Sequence, residues 1–194
     1  GILFRGGDAL ERAHRVDTVV FDKTGTLTMG RPVAEPVEPL GPWPAGEVLD
    51  LAASVERGSE HPLGAAIVVR ANRDELGFRP VTGFVAHAGH GVEGIVDGRR
   101  VLVGTARLLR EGGVPVGFED RGEPIAASGS TPVFVAIDGV AAGIVGVSDP
   151  IKPESAEAVA DLGAAGAATW LVTGDHPATA RQPDSWIRTG WKAR

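Results

Sequence analysis

The sequence predicts an α/β fold in which a parallel α/β lobe is interrupted by an inserted, mainly antiparallel α+β lobe. The first observation is the apolar, β-branched run at 18–21, which is typical of a buried strand of a parallel sheet and is followed by Asp22. The second is a similar run at 168–172, which is followed by a Thr-Gly-Asp sequence. The third is the segment between them, where Asp-Gly turns separate apolar runs as in antiparallel hairpins.

The parallel lobe contains two helices and two strands in this prediction. Asp8 and Glu11 resemble a capping box, and Pro153 suits the first turn of a helix. The predicted elements are, in chain order, a helix at 9–15, a strand at 18–21, a helix at 153–162 and a strand at 168–172.

The inserted lobe begins after a proline-rich stretch that predicts an extended linker without regular structure, from residue 32 to residue 44. Apolar residues at helical spacing predict the helices that follow, and the Asp-Gly pairs at 97–98 and 138–139 predict tight hairpins. The Gly/Pro-rich stretch from 112 to 130 predicts a surface segment. The predicted elements are helices at 47–56, 63–76 and 105–111 and strands at 81–86, 91–96, 100–103, 132–137 and 140–147.

The composition of the 194 residues limits the possible functions. The formal net charge is −6 and lysine and arginine form no cluster, so we expect no nucleic-acid partner. The chain has no cysteine, which excludes disulfides and cysteine-based metal sites. No apolar run reaches the about 18 residues that a membrane helix needs, and no signal-peptide pattern is present, so we expect a soluble chain.

Asp22 opens the most informative motif of the chain, the heptad DKTGTLT at 22–28. A carboxylate at the carboxyl end of a parallel strand lies where open α/β sheets bind ligands, and it suits attack on a phosphoryl group. The alternative is an ordinary turn, since Asp, Thr and Gly are common turn residues. The heptad resembles the phosphorylation signature of the P-type ATPases, ion pumps of the haloacid-dehalogenase superfamily. This resemblance implies that Asp22 accepts the γ-phosphate of ATP beside Lys23, and that Asp22 and the carbonyl of Thr24 bind Mg²⁺.

A second motif, SEHPLGAAI at 59–67, resembles the His-Pro motif of the heavy-metal (type IB) P-type ATPases. Glu56 precedes His61 by the same spacing as in that subgroup, and the resemblance implies that both contact the adenine of ATP. The alternative for His61 alone is an N-terminal cap of the following helix.

The glycine pattern GxGxxG at 89–94 is a weak signal, because it does not open a helix after a parallel strand. A glycine-rich turn between strands explains it equally well. In the type IB pumps, a GxG pattern and a later Val-Gly frame the adenine site. The resemblance therefore adds Gly89, Gly91 and Gly104 to the predicted nucleotide site, with Thr105 where the family usually has Asn.

A closing motif, TGDHPATA at 173–180, resembles the second motif of the phosphorylation domain. The alternative is a strand-to-helix turn capped by an aspartate. The resemblance implies that Thr173 binds the transferred phosphoryl group and that Gly174 and Asp175 lie near the nucleotide and Mg²⁺. After Ala180 the resemblance ends, and the family's GDGxNDxP motif and its lysine are not found, so we expect impaired phosphoryl transfer.

The resemblance implies a haloacid-dehalogenase-like phosphorylation domain, incomplete, with an inserted α+β nucleotide-binding domain. The predicted boundaries are 1–31 and 149–182 for the two parts of the phosphorylation domain, 32–148 for the nucleotide-binding domain and 183–194 for an atypical tail.

The predicted function is the ATP- and Mg²⁺-dependent region on the cytoplasmic side of a heavy-metal pump. Its partner would be the membrane domain of the same pump, absent from this chain. Copper is the expected transported metal, with zinc or cadmium second, and it would not bind here. Two alternatives are a non-catalytic ATP-binding module and a stand-alone phosphatase of the dehalogenase superfamily. The inserted lobe and the Thr that follows Asp22-Lys23 argue against the phosphatase.

Overall fold

The computed structural model describes residues 6–115 and 117–172, and the chain divides into two compact units. One unit is Arg31–Pro150, called the inserted unit below. The other, called the Asp22 unit, combines the chain up to Gly30 with the chain from Ile151 onward.

The helices and strands follow the predicted order with two additions, β2 and α5. In chain order they are α1 (Gly7–His14), β1 (Thr18–Asp22), β2 (Val33–Pro39), α2 (Ala45–Glu56), α3 (Pro62–Arg73), β3 (Val81–His87), β4 (Gly91–Val96), β5 (Arg99–Gly104), α4 (Ala106–Glu111), α5 (Glu123–Ala127), β6 (Thr131–Ile137), β7 (Val140–Ser148), α6 (Ser155–Ala164) and β8 (Ala168–Val172). None of the helices described is long and apolar enough to cross a membrane.

The inserted unit is built on one six-stranded antiparallel sheet with the strand order β2-β7-β6-β5-β4-β3. The hairpins β4–β5 and β6–β7 turn at Asp97-Gly98 and Asp138-Gly139, and all four residues have positive φ. This is the geometry of the type I′ turn, which Asp-Gly favours because glycine adopts positive φ without strain. Both predicted hairpins are confirmed.

Helices cover both faces of this sheet. On one face α2 and α3 pack against valines that alternate along the central strands, among them Val101, Val103 and Val135. On the other face α4 and α5 pack against the residues of opposite parity, such as Leu102 and Phe134. The period-two alternation of a strand thus divides the apolar residues between two cores.

The prediction of a linker without regular structure from residue 32 to 44 is wrong in its first half, because β2 forms there and pairs with β7. β2 is the edge strand of the sheet, and its register shifts between Ala34 and Val37. Proline lacks the N–H that a central strand must donate, but an edge strand with an irregular register tolerates it.

The stretch from 112 to 130 is also more than the surface segment that its composition predicts. It contains a 3₁₀ turn at Glu119–Gly122 followed by α5. Phe118 and Ile125 are buried, and the ring of Phe118 meets that of Phe134 edge to face with 5.3 Å between centroids. Together with Val114, these side chains form part of the core on this face of the sheet.

In the Asp22 unit, β1 and β8 pair in parallel, with Asp22 opposite Val172. Leu27, Val159 and Leu171 form its small core, and Phe21 packs against them. The expectation of a fully buried β1 is wrong, since Val20 is 60% exposed. Successive side chains of a strand point to opposite faces, and α6 covers the face of Phe21 and Leu171, whereas Val20 and Val172 lie on the other.

Candidate functional site

A cleft of ≈ 430 Å³ opens in the inserted unit between the α2–α3 connection, the β3–β4 turn and the adjoining ends of β5 and β6. Its volume falls within the range of small-molecule sites. The structure brings the five residues of the predicted nucleotide site together at this cleft: Glu56, His61, Gly89, Gly91 and Gly104. These residues span almost fifty positions in the sequence, so the fold, not chain proximity, assembles them.

Glu56 is the last residue of α2, and only 6% of its surface is exposed. Burial raises the pKa of its carboxyl group to about 7, while a hydrogen bond from the Ser59 side chain acts in the opposite direction. Near neutral pH the group is therefore divided between its protonated and ionised forms. It can both donate and accept a hydrogen bond, as a purine edge requires.

His61 is the N-cap of α3, and its Nδ1 accepts the N–H of Leu63 at 3.2 Å. The capping role that is the alternative interpretation of this residue is thus present. The cap uses only one ring nitrogen, because a neutral imidazole that accepts at Nδ1 carries its proton on Nε2. His61 also lines the cleft.

Gly91 and Gly104 face each other across the β4–β5 pair. A Cβ on Gly91 would overlap the carbonyl oxygen of Val103 and lie 2.6 Å from the Cα of Gly104. A Cβ on Gly104 would overlap the carbonyl oxygen of His90. The close approach of β4 and β5 therefore requires glycine at both positions, and both glycines line the cleft.

Gly89 is a glycine for a different reason. Its φ is +72°, and a Cβ there would meet no atom within 4 Å. It lies in the tight turn between β3 and β4, in which the N–H of His90 donates to the carbonyl of His87 at 2.9 Å. A glycine-rich turn between strands, the alternative interpretation, is what the structure has, and the turn lines the cleft.

Several cleft residues escaped the sequence-based prediction: Ser59, Gly64, His87 and His90. Ser59 and Gly64 belong to the His-Pro motif itself, so the motif was a signal that could have found them. Thr105 is the N-cap of α4 and accepts the N–H of Leu108 at 3.3 Å. Nε2 of His87 lies 3.5 Å from a carboxylate oxygen of Glu93, a contact between strands that no linear motif could indicate.

Asp22 ends β1 and is exposed at the carboxyl edge of the two-stranded sheet. The next residues, Lys23–Leu27, form a single π-helical turn with a kink at Thr24 and Gly25. The hydroxyl of Thr28 holds this turn by accepting the N–H of Gly25 at 3.0 Å and donating to the carbonyl of Lys23 at 3.2 Å.

The start of α6 holds the other side of the same turn. Nζ of Lys152 donates to the carbonyls of Gly25 (3.1 Å) and Thr26 (2.9 Å). The carbonyl of Leu27 accepts both the backbone N–H of Lys152 and the hydroxyl of Ser155. These contacts, over more than 120 positions of sequence, were not predictable from the heptad alone.

The residues around Asp22 suit a hard cation such as Mg²⁺, which prefers oxygen ligands. Asp22 offers an exposed carboxylate. The carbonyls of the turn that accept the hydrogen bonds above are those of Lys23, Gly25, Thr26 and Leu27.

The predicted site residues of the closing motif, Thr173, Gly174 and Asp175, lie outside the described residues. The strand that leads to them, β8, is among the described residues. The parallel pairing of β1 with β8 confirms the expectation that the two motif-bearing strands are neighbours. Because Asp22 is opposite Val172, both motifs leave the sheet at the same edge.

The comparisons with known proteins agree with this fold and these motifs. A family model described as haloacid dehalogenase-like hydrolase matches residues 16–185. The chain therefore belongs to the haloacid dehalogenase-like hydrolases.

Within this family the chain resembles the catalytic region of heavy-metal P-type ATPases. It is 43% identical to a copper-transporting P-type ATPase of Rhizobium leguminosarum bv. viciae over 93% of its own length and 22% of that protein. The structure of a zinc-transporting PIB-type ATPase matches 98% of the chain, and 31% of that structure is covered, with 36% identity and a TM-score of 0.80.

The inserted unit has a structural relative of its own size. The N-domain of HMA6, a copper-transporting P-type ATPase, is covered to 99% by 61% of this chain, with 28% identity and a TM-score of 0.52. The chain spans about a fifth of the length of the curated relatives that it matches.

Proposed function

We propose that this chain is the ATP-binding and phosphorylation region of a heavy-metal P-type ATPase, in which Asp22 accepts the γ-phosphate of ATP. The observation that carries the proposal is the cleft of the inserted unit, to which Glu56, His61 and three glycines contribute. We take residues 32–148 as the nucleotide-binding domain and 1–31 with 149–182 as two parts of the phosphorylation domain. The division of the chain into two compact units supports this assignment.

In this proposal the cleft binds the adenosine part of ATP. The bare backbone at Gly91 and Gly104 accommodates the base, while Nε2–H of His61 and the carboxyl group of Glu56 offer hydrogen bonds to it. Because Glu56 can donate as well as accept near neutral pH, it matches the adjacent donor and acceptor of adenine.

Asp22 is the nucleophile of the proposed transfer. Its carboxylate oxygen attacks the γ-phosphorus, the bond to the β–γ bridging oxygen breaks, and ADP leaves with that electron pair. Mg²⁺, held by Asp22 and the carbonyl of Thr24, would neutralise charge on the phosphates. The hydrogen bonds of Thr28 and Lys152 keep the turn after Asp22 in place. Thr173 would bind the transferred phosphoryl group, and Gly174 and Asp175 would lie near the nucleotide and Mg²⁺.

In the whole pump the aspartyl phosphate would be hydrolysed to drive metal export through a membrane domain of the same protein. The names of the relatives favour copper as the transported ion, with zinc second. The metal would bind in that membrane domain, with this chain on the cytoplasmic side.

A second candidate is a nucleotide-binding module without catalysis. It is favoured by one observation: the cleft is formed entirely by the inserted unit, and it needs nothing from the Asp22 unit.

One experiment separates the two candidates. The chain is incubated with Mg²⁺ and ATP labelled in the γ-phosphate, and acid-stable, hydroxylamine-labile label is measured in parallel with ATP affinity by calorimetry. We expect label in the wild type and none in Asp22→Asn, with ATP affinity equal in both. ATP binding without label in the wild type would leave the module, and label that survives Asp22→Asn would refute the assigned nucleophile.

A further inference from the structure

Gly64 is the third residue of α3, and it is buried. Its φ is not in the left-handed region, so the backbone does not require glycine there. Glycine also has a low helix propensity. A glycine that the backbone does not require points to a demand for space.

The space above Gly64 is filled by the carboxyl group of Glu56. A Cβ on Gly64 would overlap Oε2 of Glu56 and lie 2.9 Å from its Cδ. The nearest atoms are thus the functional end of one side chain, not the backbone of α2. Gly94 shows the contrast, because a Cβ there would meet only the apolar side chains of Val81 and Val55.

Ser59 closes the same space from another side. Its Cβ lies 3.3 Å from the Cβ position of Gly64, and its side chain hydrogen-bonds the carboxyl group of Glu56. The Ser59 hydroxyl oxygen also accepts the backbone N–H of His61 at 3.2 Å. Ser59 therefore contacts the side chain of Glu56 and the backbone of His61, the two residues whose side chains the proposed function assigns to the base.

We propose that Gly64 and Ser59 are positioning residues that hold the carboxyl group of Glu56 in its place in the cleft. Gly64 has no side chain, and the carboxyl group of Glu56 occupies the volume that a side chain would fill. Ser59 forms a hydrogen bond that fixes the direction of this carboxyl group. The expected effect on ATP binding rests on the proposed nucleotide-binding function. The positioning of the Glu56 carboxyl group itself rests on the geometry of α2 and α3.

The test is a double-mutant cycle between Gly64 and Glu56, measured as ATP affinity of the full chain by calorimetry. We expect Gly64→Ala to weaken ATP binding about tenfold or more, because the displaced carboxyl group no longer meets the base. In a Glu56→Ala background the same substitution should change affinity less than twofold. The matched control is Gly46→Ala in α2, where a Cβ meets no atom within 4 Å; we expect unchanged affinity.

Ser59 gives a second, milder variant. Ser59→Ala should weaken ATP binding several-fold, and Ser59→Thr, which keeps the hydroxyl, should restore it. The position of the carboxyl group is also read directly from the pKa of Glu56 by ¹³C NMR without nucleotide. We expect Ser59→Ala to raise that pKa further, and Gly64→Ala to lower it towards the ordinary range as the group is pushed towards solvent.

The outcomes separate the two proposals. Wild-type affinity in Gly64→Ala, or an equal loss of affinity with and without Glu56, would overturn the positioning role of Gly64. An unchanged pKa of Glu56 in both variants would overturn the inference as a whole. If the wild type binds no ATP while the pKa of Glu56 shifts as expected, the proposed function fails and the positioning role stands. If Gly64→Ala does not fold, the positioning role is tested with Ser59→Ala and with the double variant Glu56→Ala/Gly64→Ala.

Discussion

The two units hold their functional residues in different ways. In the inserted unit, helices cover both faces of a six-stranded sheet, and the cleft residues project from α2, α3 and the strand ends. In the Asp22 unit, the described sheet has two strands and a small core, and hydrogen bonds from Thr28, Lys152 and Ser155 hold the turn after the nucleophile. The cleft is organised by packing, and the turn by polar contacts. Mutations should therefore affect the two units on different scales.

The largest effect is expected in the core of the inserted unit. Ile67 of α3 is completely buried, so Ile67→Ala should lower the free energy of unfolding of this unit by about 2–5 kcal/mol, the usual range for a buried isoleucine. Hydrogen exchange with mass spectrometry at increasing urea concentration reads peptides from each unit separately.

Val69→Ala on the same helix is the matched control, because Val69 is 65% exposed. It should change the free energy of unfolding by less than about 0.5 kcal/mol. Peptides of β1 and β8 should be unaffected in both variants. A parallel loss of protection in β1 and β8 with Ile67→Ala would show that the units unfold together and would remove the contrast between them.

The next effect concerns pH and Glu56. Its pKa is about 7 in the folded chain and near 4.5 in the unfolded one, so the folded state binds its proton more tightly. The stabilisation of the folded state by this proton is fully present below about pH 4.5 and is lost as the pH rises through 7. The inserted unit should therefore lose up to about 3 kcal/mol between pH 4.5 and 8, from a shift of 2.5 units at 1.36 kcal/mol per unit.

Glu56→Gln tests this, because the amide has nearly the same shape and no titration. The difference in unfolding free energy between wild type and variant should grow with pH over this interval, measured by the same hydrogen-exchange method. A difference that is independent of pH would mean that Glu56 titrates normally.

Much of the fold was predictable because the decisive interactions are local. The Asp-Gly pairs specify their turns within two residues, and apolar residues at helical spacing specify α2 and α3. β2 was missed because its prolines argue against a strand unless its edge position is known, which depends on β7. The burial of Phe118 was missed for the same reason, since its partner Phe134 lies on a distant strand.

The residues of the candidate site likewise divide into those that local sequence indicates and those that depend on long-range contacts. Glu56, His61 and the glycines lie in linear motifs, so the sequence alone could propose them. Their surroundings could not be foreseen. The space over Gly64 exists only because α2 and α3 pack at this distance, and the bonds of Lys152 to the turn after Asp22 need the chain to return after 120 residues. Motifs identify the groups that do chemistry, and tertiary packing determines the groups that hold them.

The smallest effect on stability, with a larger effect on solubility, is expected in the Asp22 unit. Val20 and Val172 lie on one face of the β1–β8 sheet and are 60% and 56% exposed. Exposed apolar residues that are neighbours on a sheet favour association between chains. Val20→Thr keeps the β-branched shape that suits a strand, so it should change the free energy of unfolding by less than about 0.5 kcal/mol while lowering self-association, as measured by light scattering against protein concentration.

Val69→Thr, on an exposed helical face of the inserted unit, should leave self-association unchanged. An equal decrease in both variants would trace association to general surface hydrophobicity instead of this sheet face, and the contrast between the two units would then be one of core size alone.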